Sequence, residues 1–226
     1  MFARATCVSL TVETTTPDLN FIVNNLPDQW IDLLAEPYRM ARVMALFGTG
    51  GHSAEMLMLI RNCKLMQKLD GDDISRLSCV ISEDDQLVVQ KLNQELSTCK
   101  KKSKVELIRL NRARRVGQSY VSSIWTTLVS IFQALRIVIE QKPQLCLTNG
   151  PAISVTVLLA IRFLQLITFY TNYKCLVIYV ESFCRTKTLS LSGKIVYHLR
   201  LADQFYVQWS FLHEKYPRTL CKGIIV

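Results

Sequence analysis

The stretch Gly48-Thr49-Gly50-Gly51-His52-Ser53-Ala54-Glu55 combines what phosphate recognition needs with what proton transfer needs. Glycines let the backbone come close to a ligand, and unpaired N–H groups at a helix N-terminus attract an anion. The imidazole of His52 adds a group able to take or give a proton beside that anion. A second set of polar residues fits the same chemistry. Arg112, Arg114 and Arg115 precede Gly117-Gln118-Ser119, an arrangement suited to clamping phosphate oxygens or simply to a solvated surface. Asn149-Gly150-Pro151 and Glu181-Ser182 with Arg185 complete the set.

Each of these residues stands where an apolar run ends. Arg42 to Phe47 reads as a buried strand, and Glu55 to Leu69 carries Leu57, Ile60, Cys63 and Met66 at helical spacing, so the glycine stretch is a strand-to-helix loop. Such a loop is also a common tight connection. A dinucleotide fingerprint would need glycine where Ser53 stands and an acidic residue about 20 positions on, whereas Glu83 and Asp84 come later.

Downstream the pattern alternates. Leu77 to Ser82, Lys104 to Leu110, Gln144 to Thr148, Cys175 to Val180 and Gln204 to Gln208 read as strands; helices are expected over Asp84 to Ser97, Ser119 to Glu140, Ala152 to Tyr170 and Ser192 to Leu201. Alternation of this kind predicts an α/β fold, a parallel sheet with helices on both faces, over residues 40–226 after an irregular arm at 1–39. Ligands of such sheets bind at the carboxyl ends of the strands, where all the residues above converge. Lys100 to Lys102 and Lys104 precede their strand and belong to the opposite edge. The apolar Cys221 to Val226 is expected to be covered, either internally or by a partner.

Composition narrows the partners. A chain of 226 residues, 50% apolar, can bury a substantial core, and its net charge of +9 favours an anionic partner: nucleic acid, a membrane surface or a phosphorylated substrate. The eight cysteines contain no C-x-x-C pair and no signal-peptide pattern precedes them, so reduced, mostly buried thiols in a cytosolic setting are expected. Asn24, Asn25, Pro27 and Asp28 interrupt the only apolar run of residues 1–39. The run from Ala152 to Tyr170 is long enough to span a bilayer, but Arg162 at its centre favours a buried or membrane-facing helix.

Several blocks together resemble one family. The glycine stretch, Arg112-Ala113-Arg114 with Gln118-Ser119, Asn149-Gly150-Pro151, Tyr179 to Arg185 with Thr188 to Lys194, and Ala202 to Trp209 through Glu214 to Pro217 look like the asparagine-linked glycosylation protein 14 family. That resemblance implies the membrane-recruiting, acceptor-side subunit of the transferase that adds the second N-acetylglucosamine to dolichol-diphosphate-linked N-acetylglucosamine at the cytosolic face of the endoplasmic reticulum. The implied fold resembles the Rossmann-like N-terminal half of a GT-B glycosyltransferase, with the donor half a separate subunit of the asparagine-linked glycosylation protein 13 family. It implies His52 as base and Glu181 as its orienter or a sugar contact. Glu181 has the plainer alternative of capping the next segment. Gly48, Gly50, Gly51, Arg112, Arg114, Asn149 and Gly150 are implied at the acceptor diphosphate, and Gly223, Ile224, Ile225 and Val226 at the partner. No cofactor, metal or nucleic acid is expected. The family's N-terminal hydrophobic anchor has no counterpart in residues 1–39, leaving attachment to the apolar helices or to a partner. A non-catalytic membrane scaffold and a nicotinamide-dependent oxidoreductase are the competing readings.

Overall fold

The computed structural model describes residues 41–62, 69–70, 74–82, 86–97, 100–111, 120–167 and 173–224, with the backbone alone at 62 and 120–127. Arg112, Arg114, Ile225 and Val226 therefore lie outside the described residues. Seven strands, β1 (Ala41–Leu46), β2 (Ile74–Ser82), β3 (Val105–Leu110), β4 (Leu145–Thr148), β5 (Leu176–Val180), β6 (Gln204–Val207) and β7 (Leu220–Cys221), form one sheet in the order β3-β2-β1-β4-β5-β6-β7. Every neighbouring pair is parallel. Helices α1 (Gly51–Asn62), α2 (Gln86–Leu96), α3 (Tyr120–Gln141), α4 (Ala152–Ile167), α5 (Leu191–His198) and α6 (Ser210–Lys215) link them.

The central strands β1, β4 and β5 are short, mainly apolar runs because the sheet is buried on both faces there. Val43, Ala45 and Phe47 of β1 and its extension point to one side, where they meet Met56, Leu59 and Ile60 of α1 and Val88 and Leu92 of α2. Met44 and Leu46 point to the other, against Ala134 and Val138 of α3 and Val157 and Ile161 of α4. Period-2 alternation in a strand thus divides one sequence between two cores. At the edge, β3 leaves Glu106, Leu107 and Arg109 exposed, and the charges discourage pairing with another chain.

Strand order places the site. Leu46 pairs with Val80 of β2 on one side and Thr148 of β4 on the other, so the chain reverses its direction of winding between β1 and β4. The connections that follow these two strands leave to opposite faces, opening the crevice where α/β sheets bind ligands.

Two expectations need correction. The helix after β1 starts at Gly51 rather than Glu55, so His52 is a helical residue of the first turn and not a loop residue. The C-terminal part holds α6 and β7, neither of them expected: a helix of 6 residues and a strand of 2 are too short to show a period. Leu220 and Cys221 pair with Tyr206 and Val207, which leaves Gly223 and Ile224 as the exposed end of the described chain.

Among the described residues no helix is long and apolar enough to cross a membrane. Arg162 in α4 has a structural task. Its guanidinium donates to Leu201 O at 3.1 Å and Gln165 Oε1 at 2.7 Å and pairs with Asp203 Oδ2 at 2.9 Å, while that carboxylate accepts from Val177 N. This tie joins α4 to the turn before β6 and to the first half of β5. Replacing it by an apolar side chain, Arg162→Met, leaves Leu201 O and Asp203 short of a donor and should cost about 1–3 kcal/mol. A lower urea midpoint with an unchanged far-UV spectrum is the expected result.

Candidate functional site

Three strand ends build the site. After β1, the buried Gly48 lies so close to the next loop that an added Cβ would stand 2.6 Å from Pro151 Cβ and 2.7 Å from His52 Cβ. Only glycine lets the β1–α1 and β4–α4 connections touch here. Gly50 has φ +64°, the left-handed region that a glycine enters without strain. Ser53, standing where a dinucleotide fingerprint would want glycine, closes the turn: its N–H and hydroxyl both donate to Gly50 O, at 3.3 and 2.6 Å. Gly50 and Gly51 are exposed, and a Cβ on either would meet nothing. The stretch therefore presents open backbone at the amino end of α1, the surface an anion needs.

His52 follows directly. Its side chain is 34% exposed, yet Nδ1 is buried and has no hydrogen-bond partner. The only acid near it is Glu55 among the ion pairs of the described residues, with Oε2 4.0 Å from Nδ1. Asn149, expected at the acceptor diphosphate, is 1% exposed and turns inward: Nδ2 donates to His52 O at 2.5 Å and to Glu55 Oε2 at 3.3 Å. Its Oδ1 is buried without a partner. Gly150, expected beside it, has φ +93°, and a Cβ there would stand 2.6 Å from the Tyr179 hydroxyl. Asn149 and Gly150 brace the site from beneath.

The end of β5 adds two residues. Ser182 donates its hydroxyl proton to Glu55 Oε1 at 2.7 Å, linking the third strand end to α1. Glu181 is 1% exposed and its carboxylate accepts from Ser182 N, Ser190 N and the Ser190 hydroxyl, at 3.3, 3.2 and 3.2 Å. Ser190 is the N-cap of α5 and accepts from Gly193 N. Gly193 packs so tightly on Glu181 that a Cβ would run into the carboxylate. No hydrogen bond joins Glu181 to His52 among the described residues; the capping alternative describes its surroundings. Arg185 is exposed at the same edge.

Glu55 and Ser182 were quoted in the sequence without a role. The signal for Glu55 is its spacing: once α1 starts at Gly51, His52 and Glu55 lie three residues apart on one helix face. Among the described residues no cluster of His, Cys, Asp and Glu could hold a metal ion. The thiols of Cys79, Cys146 and Cys175 are free and buried, and burial pushes that of Cys79 up to about 12, so it is inert.

Burial also raises the Glu181 carboxyl above the usual carboxylate range, against the opposing pull of the Ser190 and Ser182 hydrogen bonds and of Arg185. The sign follows from linkage. A folded-state value above the unfolded one means that the folded protein binds the proton more tightly, so the stabilisation is complete below the unfolded value and is lost as pH rises through the folded one. Urea midpoints should therefore fall across that window. In Glu181→Gln this component of the slope should vanish; an unchanged slope would assign it to another group.

Comparison with known proteins agrees with this architecture. Residues 43–225 match the family described as "Oligosaccharide biosynthesis protein Alg14 like". A rat protein named UDP-N-acetylglucosamine transferase subunit ALG14 is 38% identical over 206 residues, covering 87% of this chain and 90% of its own. The human protein of that name is 34% identical (84% and 85% covered), and that of Yarrowia lipolytica 38% identical (82% and 81%). Among solved structures, MurG of Acinetobacter baumannii superposes with a TM-score of 0.51 at 17% identity, over 80% of this chain and 43% of MurG, a likeness of fold. With a family match running from β1 to beyond β7, the chain belongs to the Alg14 family.

Proposed function

We propose that this chain is the acceptor-side subunit of a two-subunit UDP-N-acetylglucosamine transferase, which adds the second N-acetylglucosamine to dolichol-diphosphate-N-acetylglucosamine at the cytosolic face of the endoplasmic reticulum membrane. The observation that carries the reading is a half-exposed imidazole beside open glycine backbone at the start of α1, on the carboxyl edge of the sheet. In the reaction, His52 takes the proton of an acceptor sugar hydroxyl as its oxygen attacks the anomeric carbon of the donor sugar. The bond to the nucleoside diphosphate breaks with inversion, and the diphosphate leaves with the electron pair. Gly48, Gly50 and Gly51 set the backbone for the acceptor diphosphate, with Arg112 and Arg114 as side-chain clamps. Leaving-group stabilisation falls to a separate donor-binding subunit of the asparagine-linked glycosylation protein 13 family. That subunit docks at the C-terminal end, where Leu220 and Ile224 are exposed.

Family membership supports this assignment over a nicotinamide oxidoreductase, because the relatives carry the transferase-subunit name. The assay is transfer of radiolabelled N-acetylglucosamine from the nucleotide sugar to a dolichol-diphosphate-N-acetylglucosamine acceptor by the chain reconstituted with its donor-binding partner. His52→Ala should lower kcat by about 100-fold or more while partner binding persists. Gly51→Val, which meets no protein atom, should fold and raise the acceptor KM by blocking approach to the backbone. Activity of His52→Ala within a few-fold of the parent would refute the base role, and an unchanged KM in Gly51→Val would refute the phosphate cradle.

On this reading the helix pair α3 and α4 meets the membrane. Their inward sides fill one core, while Leu128, Phe132 and Ile139 of α3 and Phe163, Leu166 and Ile167 of α4 are exposed. Within α3 and within α4 these residues recur at helical spacing, the pattern of a face that rests in a lipid headgroup boundary. Phe132→Glu with Phe163→Glu should weaken cosedimentation with phosphatidylcholine–phosphatidylinositol vesicles by about 10-fold or more, since each buried aromatic ring contributes about 1.5–3 kcal/mol. Equal cosedimentation of parent and variant would remove these helices from the membrane contact.

A further inference from the structure

We propose that Glu55 is the positioning carboxylate of this site: it holds His52 in the tautomer that leaves Nε2 free to act as base, and it latches the connections after β1, β4 and β5 around the ring. The inference rests on the base role of His52 given above and names the residue through which that role is set.

Four observations carry it. First, of the two ring nitrogens, Nδ1 is buried and unpartnered although 34% of the His52 side chain is exposed. A substrate therefore meets the outer edge of the ring, which carries Nε2, and not Nδ1. Second, the acid that faces the buried nitrogen is Glu55, with Oε2 at 4.0 Å and only 14% of its side chain exposed. Catalytic hydrogen bonds are commonly long in unliganded enzymes and tighten when the substrate arrives. Third, the carboxylate is itself aimed. Ser182 Oγ donates to Oε1 at 2.7 Å and Asn149 Nδ2 to Oε2 at 3.3 Å, so its two oxygens are held by residues from the ends of β5 and β4. A carboxylate accepts about four hydrogen bonds, which leaves capacity for Nδ1–H. Fourth, the other carboxylate of the site is committed elsewhere, to Ser182 N and to Ser190.

The consequence for proton transfer is specific. A proton on Nδ1 pointing at Glu55 makes Nε2 the lone-pair nitrogen, and the fixed negative charge favours the imidazolium formed when Nε2 takes the acceptor hydroxyl proton. The Nδ1 proton stays on the ring and Glu55 stays ionised throughout. Asn149 assists by fixing the backbone: its Nδ2 donates to His52 O at 2.5 Å, which sets where the ring starts.

The test is Glu55→Gln, nearly isosteric and still able to accept from Ser182. Its amide N–H would donate to Nδ1 and so move the ring proton to Nε2. Long-range 1H–15N spectra of the full chain labelled at histidine report the tautomer directly, and with 3 histidines in the chain His52 is assigned by comparison with His52→Ala. Under mildly alkaline conditions the parent should show Nδ1–H and Glu55→Gln should show Nε2–H. In the reconstituted transferase Glu55→Gln should lower kcat by about 100-fold or more with acceptor KM within about threefold, and Glu55→Asp should recover part of the rate. Because residues acting as a unit are not additive, His52→Ala with Glu55→Gln should be no more than about threefold slower than His52→Ala alone. A role confined to bracing the loops gives the opposite results: an unchanged tautomer, a raised KM or a loss of partner binding, and additive losses in the double variant. The two hypotheses fail separately. A slow His52→Ala with a tautomer indifferent to Glu55→Gln overturns the positioning role alone, whereas an Nδ1–H tautomer set by Glu55 in a chain whose His52→Ala variant stays active overturns the base role.

Discussion

The site depends on bridging one gap. Between β1 and β4 the sheet changes its direction of winding, and the helices that follow, α1 and α4, leave for opposite faces. The ladder between β1 and β4 ends at Leu46 and Thr148, so beyond that point no backbone pairing joins the two connections to each other. Side chains must do it. Asn149 reaches from the β4 end into the first turn of α1, Ser182 reaches from the β5 end to the same helix, and Glu55 receives both. Contact between Gly48 and Pro151, too close for any side chain, seals the base of the gap. A buried amide costs little where its hydrogen bonds are made and much where they are lost; Asn149 makes both of its bonds through Nδ2.

Two carboxylates stand at this edge, and burial separates what they can do. Glu181 lies under the sheet end, satisfied by the cap of α5 and pushed toward its neutral form by lack of solvent. A group so enclosed fixes the path of the chain from β5 to α5, with Gly193 packed against it. Glu55 is nearer the surface, faces the imidazole, and keeps capacity for a further donor. Distance along the sequence would suggest the reverse, because the strand-end Glu181 looks like the residue delivered to a ligand. Direction decides instead: Glu181 points into the protein and Glu55 points along α1 toward His52.

Much of the fold was legible because β1, β4 and β5 are short apolar runs, β3 alternates, and the longer helices carry apolar stripes, and those patterns follow from burial. The family resemblance extended this to the domain as a whole. What the sequence left out has physical reasons. The apolar period starts only at Glu55 and glycines have poor helix propensity, yet α1 starts at Gly51, closed by the Ser53 bonds to Gly50 O, and takes in His52. The helix after Trp209 and the strand at Leu220 are too short for a period and are held by tertiary contact. Arg162, an expensive residue for a membrane span, has its partner Asp203 far along the sequence, where no helical period could reveal it. Asn149 and Gly150 were correctly brought to the crevice, but no pattern in one sequence tells an amide that faces a ligand from one that braces the backbone beneath it.

A half-open crevice also constrains the chemistry assigned to it. Glycosyl transfer needs water kept from an activated sugar, and oriented groups act far more strongly where solvent is excluded. Here Gly50, Gly51 and one third of His52 face outward. On the proposed function the missing wall is the donor-binding subunit, which meets the open side of the described residues around His52. The division suits a half-enzyme. On the proposed positioning role, the groups that hold the Glu55 carboxylate, Ser182 and Asn149, belong to this chain. On the same proposal the partner supplies enclosure and leaving-group contacts.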